Sequence, residues 1–345
     1  MGAGLAGCLL SWRLRAEGKS VLVIGDPDAP CAASVAAGVI NPVTGRWAVK
    51  SWNIDALLPE AIATYRALEK EFEIEIFHSL PMRRFCRNSE DLKRIGRRSR
   101  NPRYKNVIGD LHPKETAPKA LNDPCGSFDI LNAAYVDLPP LLGAVRSKLK
   151  DEGFLIEANF EHSQLIQAGS RNWSYKDICA QRVLFCEGAA VKKNPWFAEL
   201  PMTPIKGETL RFSAPDLELP NSMFHNGKWL LPYGEKEFRI GATYDEFDPT
   251  SDPTESGRLA LLEGLKDLMK TLPEITVKEH LAGLRPSTED ARPIIGEHST
   301  DKGIFIFNGL GSKGTSVAPL MAREFCDHLL NDTPLNEAVS ITRFK

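Results

Sequence analysis

The chain has 345 residues, of which 42% are hydrophobic and 26% charged, with 43 Lys and Arg against 45 Asp and Glu. That balance excludes a disordered or collagen-like chain and supplies no overall field to gather polyanions or basic partners. Seven cysteines, with no C-x-x-C pair, and histidines scattered without ligand spacing argue against a disulfide framework or a metal site and make the reduced cytoplasm the expected compartment.

The chain opens on Met1-Gly-Ala-Gly-Leu-Ala-Gly7. Gly2, Gly4 and Gly7 spell G-x-G-x-x-G, the turn that lets backbone approach a pyrophosphate, and Leu5 and Ala6 lie in the helical turn whose amides would face that anion. Leu5, Leu9, Leu10, Trp12 and Leu14 give an apolar face at helical spacing. Gly18 stops the helix and Val21-Leu-Val-Ile24 reads as a buried strand. An acid that hydrogen-bonds a ribose should close this unit; Gly25 stands in the usual place, so the role falls to Asp26. Only Met1 precedes the glycines, so the first strand of the nucleotide-binding sheet is expected to be missing. A chain start assigned too late explains this best, and it predicts codons for an apolar strand upstream of Met1. Leu5-Ala-Gly-Cys8 imitates a lipoprotein cleavage box but lacks the basic and apolar segments of a leader.

A stretch of small residues and turn formers, Cys31 to Arg46, follows and suits tight packing against something flat; Arg46 at its end and Lys50 beyond it could reach a bound cofactor or a product anion. Residues 54–72 have helical periodicity (Leu57, Leu58, Ile62, Tyr65, Leu68), and residues 72–85 read as strands broken at Pro81. Lys93 to Lys105 then holds seven basic residues and no acid. Residues 139–150 predict an amphipathic helix, Phe154 to Glu157 a strand, and Val183 to Ala190 a buried strand entering a small-residue turn at Gly188. Residues 210–244 alternate apolar residues with turn signals, as an antiparallel sheet would. Residues 259–272 predict a helix. Gly303 to Asn308 is another buried strand, followed at once by Gly309-Leu-Gly-Ser-Lys-Gly314 and a helix through Leu330. No stretch approaches ~18 uncharged apolar residues, so no membrane span is expected.

Nucleotide-binding elements thus sit at both ends and in the middle. The expected fold is α/β: a doubly wound Rossmann-like domain (residues 1–50, 130–195 and 284–345) interleaved with an antiparallel-sheet substrate domain (residues 51–129 and 196–283).

Several segments carry a likeness beyond this pattern: Ser34-x-x-Ala-Gly38, Val183 to Ala190, Pro204-Ile-Lys-Gly-Glu208, Ile240-Gly-Ala-Thr243, Gly283-Leu-Arg-Pro-Ser-Thr-Glu-Asp-Ala-Arg-Pro-Ile-Ile-Gly296, and Asn308 to Thr315 with Ala318-Pro319. In this order, over nearly the whole chain, they resemble the D-amino-acid oxidase, glycine oxidase and sarcosine oxidase superfamily of FAD enzymes. The resemblance implies that Gly2, Gly4 and Gly7 hold the pyrophosphate, Asp26 the ribose, and Ser34 with Gly38 a second phosphate-side loop. The turn Gly309, Gly311, Ser312, Lys313, Gly314 and Thr315 would lie along the pyrimidine edge of the flavin. There amide donors and the Lys313 charge would oppose the negative charge of a reduced ring.

By the same resemblance Arg285 would grip a substrate carboxylate, for which a guanidinium fork is suited. Arg239 aligns with a lysine used near the flavin for oxygen chemistry, and Tyr244 and Tyr233 are candidate pocket walls or hydroxyl donors, Tyr244 being counted with Arg285 and Arg239 among the catalytic residues. Asn308-Gly-Leu replaces the more usual Gly-His. No cysteine stands in Gly283-Leu-Arg-Pro286, where sarcosine-oxidase relatives tether the flavin, so non-covalent FAD is expected.

The implied chemistry is oxidation of a C–N bond in a small amino acid or secondary amine, with dioxygen or another electron acceptor reoxidising the flavin. Two alternatives accompany it. The run from Lys93 to Lys105 would suit tRNA, because one branch of the superfamily removes a carboxymethyl group from a tRNA wobble uridine. A chain lacking its first strand would suit a non-catalytic flavoprotein scaffold.

Overall fold

The computed structural model describes residues 1–344. Seven α-helices are α1 (Leu5–Ala16), α2 (Ala32–Val35), α3 (Ile54–Phe72), α4 (Ser89–Ser99), α5 (Leu138–Asp151), α6 (Glu255–Leu268) and α7 (Gly314–Asn331). The strands that build the two halves are β1 (Val23–Gly25), β2 (Met82–Phe85), β3 (Ile108–His112), β4 (Ser127–Ile130), β5 (Leu155–Glu157), β6 (Val183–Phe185), β7 (Met202–Ser213), β8 (Met223–Asn226), β9 (Lys228–Pro232), β10 (Glu237–Gly241), β11 (Thr276–Thr288), β12 (Ile294–Glu297) and β13 (Ile304–Asn308). The molecule is the expected mixture of a parallel, helix-covered half and a large, mainly antiparallel sheet.

In the first half β1 pairs in parallel with β5, and β6 pairs in parallel with β13, which runs antiparallel to β12. Met1 and Gly2 lie between the two groups. The Gly2 amide donates to the Ile24 carbonyl (2.8 Å), the Cys186 amide donates to the Met1 carbonyl (2.7 Å), and the Met1 ammonium donates to Leu184 (2.6 Å). These are the bonds that a strand running between β1 and β6 would make. Helices α1, α3, α5 and α7 cover this half and share one apolar core. Their buried residues recur at helical spacing, as in Ile54, Leu57, Ala61, Tyr65 and Leu68 of α3. Residues 54–77, expected with the substrate domain, share this core, with α3 packed on α7 and α5.

The second half is an eight-stranded sheet in the order β11-β7-β10-β9-β8-β2-β4-β3, antiparallel except for the β8–β2 pair. One face, carrying Leu210, Phe212, Phe224, Leu230 and Ile240, buries against α6. Helix α6 begins four residues earlier than its periodicity predicts and ends at Leu268. The Thr254 hydroxyl caps it by accepting from the Gly257 amide (3.0 Å), and at its other end the Leu268 carbonyl accepts from the Asn122 amide (2.8 Å) and the Lys270 amide donates to the Ala120 carbonyl (2.9 Å). The opposite face looks toward the nucleotide half. Cross-strand partners share a face, and the pairs Ile205↔Arg285, Gly207↔Gly283, Thr209↔Gly241, Trp229↔Gly241, Leu231↔Arg239, His225↔Trp229 and His225↔Arg84 trace it across the sheet.

Candidate active site

The opening glycines are required by space. Gly2 has φ +99°, and a Cβ on Gly7 would stand 1.9 Å from the Gly2 carbonyl oxygen. A Cβ on Gly25 would meet that of Ala3 at 2.7 Å. The end of β1 is packed against the glycine loop, so no acid fits at position 25. Asp26, one residue on, is exposed, and its Oδ1 accepts from the Asp28 amide (2.9 Å). Gly4 caps α1 without a side-chain partner, and the first turn holds no acid. The amides of Leu5, Ala6 and Gly7 are consequently free of intrahelical acceptors and point toward the space an anion would take. A cradle that a methyl group would fill, at the positive end of a helix, fits a pyrophosphate.

Four further segments come to this place. Cys31, at the start of α2, lies beside Gly4, and α2 with Ser34 packs on β11, where Val35 approaches Gly283. Gly38 has φ +64° and lies so close to the Val136 carbonyl that a Cβ would stand 1.9 Å from its oxygen. Gly188 accepts through its carbonyl from the Asn308 amide group (2.9 Å), which joins the ends of β6 and β13. The turn Gly309–Thr315 then faces β11. Gly309 (φ +74°) lies against Thr288, Gly311 (φ +53°) faces the Ser287 hydroxyl, and Gly314 touches Leu5 of α1. Glycine loop, α2, β11 and the Lys313 turn are therefore consecutive neighbours around one region. Lys313 is half-buried, with no acid partner among the described residues, and burial pushes its ammonium below the usual lysine range.

Arg285 projects from β11 over Gly207, where a Cβ would come within 2.0 Å of Nη2. Its Nη1 donates to the Lys206 carbonyl and its Nη2 to the Thr243 carbonyl, both at 3.1 Å, and the guanidinium lies 5.5 Å from the Tyr244 ring centre. No carboxylate among the described residues pairs with it, and burial lowers its pKa. A shielded guanidinium held only by carbonyls keeps an uncompensated charge and suits an incoming anion. Tyr244 itself is 60% exposed.

Arg239 is buried on β10, two strands from Arg285. Its Nη2 donates to the Val35 carbonyl (2.9 Å) and its guanidinium lies 5.3 Å from the Tyr233 ring, whose hydroxyl reaches Asp137 (3.4 Å). It thereby ties α2 to the sheet.

The residues that hold Arg285 in place were not assigned roles from sequence. Lys206, fully buried on the α6 side of the sheet, donates to Asp248 (2.6 Å) and Thr250 (3.2 Å). Glu208 accepts from the Thr254 hydroxyl and meets His280 at 2.7 Å. This network anchors the 243–254 loop, which supplies Thr243 and Tyr244. The segment Pro204 to Glu208 was visible as a motif, but its ion partners lie 40 or more positions away.

A family model described as "DAO: FAD dependent oxidoreductase" matches residues 1–328. Glycine oxidase of Bacillus subtilis is 27% identical over 159 residues, covering 45% of this chain and 42% of that protein. The tRNA 5-methylaminomethyl-2-thiouridine biosynthesis bifunctional protein of Marinobacter nauticus is 31% identical over 156 residues, 41% of this chain and 24% of the relative. The matches thus span under half the length of these curated relatives. Among solved structures, iminodiacetate oxidase from Chelativorans superposes with a TM-score of 0.80 at 22% identity, covering 98% of both chains. Glycine oxidase from Bacillus cereus gives 0.81 at 18% identity, covering 96% of this chain and 94% of the other. No described helix is long and apolar enough to cross a membrane.

Proposed function

Starting from a chain that belongs to the family of FAD-dependent oxidoreductases, we propose that it oxidises the C–N bond of a small amino acid or N-substituted glycine. The observation that carries this reading is Arg285, a shielded guanidinium without a carboxylate partner on the strand that faces the Lys313 turn. FAD, when bound, supplies the hydride acceptor. In this reading Gly2, Gly4, Leu5, Ala6 and Gly7 hold its pyrophosphate, Asp26 its ribose, Ser34 and Gly38 the neighbouring loop, and Gly188 and Gly309–Thr315 the ring end. No cysteine stands in residues 283–286, which supports a non-covalent cofactor. Arg285 orients the substrate carboxylate, and Tyr244 stacks beside that guanidinium and covers it. Arg239 holds α2 on the sheet and adds positive charge on the same face. The glycines at 207, 241 and 283 let Arg285, Trp229 and α2 lie close on this face of the sheet. Dioxygen or another electron acceptor completes the cycle.

The test is anaerobic mixing of the yellow protein with a panel of glycine, sarcosine, iminodiacetate and D-amino acids. Bleaching of the flavin by at least one member is expected, and no bleaching by any of them rules the reading out.

A second reading has an observation of its own. The likeness to the Marinobacter protein is joined by a basic surface, because Arg97, Arg100, Arg103 and Lys105 on and after α4 have no acid partner among the described residues. That surface would suit a modified tRNA carrying a glycine-like carboxymethylamino group, with Arg285 in the same role. Retention of tRNA that falls steeply with salt would favour it, whereas weak binding independent of salt would remove it.

A further inference from the structure

A cavity of about 310 Å³ opens between the Asn41–Ala48 loop, α4 and strands β2 and β8. It lies on the same sheet face as Arg285. Five strand steps separate β11 from β2, about 24 Å at the usual spacing, and Trp229 stands between. One small amino acid cannot touch both places.

The wall of this cavity is cationic. Arg46, Arg84, Arg87 and Arg94 line it, and Asp91 is its single acid. Arg87 (3.2 Å) and Arg94 share that one carboxylate. Arg84 has none among the described residues: its Nη2 donates to the Gly45 carbonyl (2.7 Å), and burial, followed by the charge of Arg87, lowers its pKa. Arg46 lies 5.1 Å from the Trp47 ring and is likewise without an acid. Beside Arg84, its cross-strand partner His225 also lines the cavity, and its solvent-shielded Nδ1 has no hydrogen-bond partner among the described residues. Burial and the Arg84 charge push the imidazole down to about 3, so it is neutral at physiological pH.

The half-buried charge of Arg84 and the unpartnered His225 nitrogen beside it are costly to keep out of water unless an anion completes them, and exposed Arg46 and Arg87 add positive charge at the rim. Guanidinium forks match the oxygens of a tetrahedral oxyanion, and a neutral imidazole adds a donor without adding charge. We propose that this cavity is a second binding site, which takes the terminal phosphate of a small phosphorylated molecule, independently of the amine site. Arg84 lies against the Gly45 loop at the cavity wall, which favours a group that reaches it end-on. A terminal phosphate does so, whereas a diester within an RNA strand has chain leaving from both sides. The volume lies at the lower end of small-molecule sites (~300 Å³) and holds more than a bare ion.

The experiment uses the FAD-loaded protein, whose own pyrophosphate site is filled, titrated with inorganic phosphate or glycerol phosphate at constant ionic strength. Binding is read by phosphorus NMR line broadening and by the thermal midpoint. Saturable binding that chloride does not reproduce is expected, with at least a tenfold loss of affinity in Arg84→Met. Arg46→Gln, on the exposed loop, should lose several-fold and protects the test should Arg84→Met fail to fold. An equal effect of chloride, or unchanged affinity in the variants, overturns the proposal. So does Arg84-dependent binding of a short RNA lacking a terminal phosphate when neither small phosphate binds. Loss of turnover on every amine with phosphate binding intact would remove the oxidase reading and leave this one standing.

Discussion

Replacing Arg285 by Met separates a binding role from a structural one. In a merely structural role the guanidinium would stabilise the fold through its two bonds to the Lys206 and Thr243 carbonyls. Yet it has no carboxylate, so the burial of its charge is repaid only by those two bonds. Hydrogen bonds from a charged donor contribute ~1.5–3 kcal/mol each, and the effective cost of burying an ion is several kcal/mol. The terms nearly cancel, and Arg285→Met should leave the thermal midpoint within a few degrees. Removing one partner of a buried, hydrogen-bonded charge pair formed with a ligand costs ~2–5 kcal/mol. At about 1.4 kcal/mol per factor of ten, kcat/KM for flavin reduction should fall roughly 30- to 4,000-fold. Arg285→Lys, which retains charge but loses the fork, should fall in between. Gly207→Ala gives an independent perturbation, because its Cβ would come within 2.0 Å of Nη2 and displace a guanidinium that is still present. Stopped-flow flavin reduction with the best substrate and thermal melts of the same preparations decide the matter. Unchanged kcat/KM together with a midpoint lowered by ten degrees or more would refute the reasoning and make Arg285 a strut.

Further outcomes are expected elsewhere. Gly7→Ala forces a contact of 1.9 Å with the Gly2 oxygen and should weaken FAD at least tenfold, measured as flavin retained after dialysis; full retention sinks the cradle. Lys313→Met removes a positive charge opposite the proposed ring site and should lower the potential of the bound flavin by about 30 mV, or ~1.4 kcal/mol for a two-electron couple. An unaltered potential in an equilibrium dye titration would place Lys313 elsewhere. Hydrogen bonds from Lys206 and then Thr250 hold the Asp248 carboxyl down to about 2. An acid depressed on folding stabilises the native state above its unfolded value near ~4 and loses that contribution as pH falls toward the folded value. Asp248→Asn should accordingly flatten the decline of the thermal midpoint between pH ~4 and ~2, and identical slopes in both proteins would contradict the ion pair.

How far the chain could be read follows from how local each signal is. The opening glycines, α1, β1 and the glycine turn before α7 were legible because their demands lie within one turn of chain: a missing Cβ, a cap, a run of apolar residues. Helix α3 was legible as a helix, although its burial against α5 and α7 depends on partners that no local pattern names. Helix α6 slipped by four residues because Thr254 and the pairing at Met269 decided its ends. Arg285 could be singled out by its motif, but its lack of a carboxylate appears only when β7 brings Lys206 and Gly207 beneath it. The Lys206–Asp248 and Glu208–His280 pairs and the Arg84–His225 cavity were invisible, since these partners stand 42, 72 and 141 positions apart. Composition and periodicity determined which segments are apolar and where the backbone must be bare. Which charges go uncompensated was decided by strand register, because pairing chooses each side chain's neighbours and removes the water that would otherwise screen it.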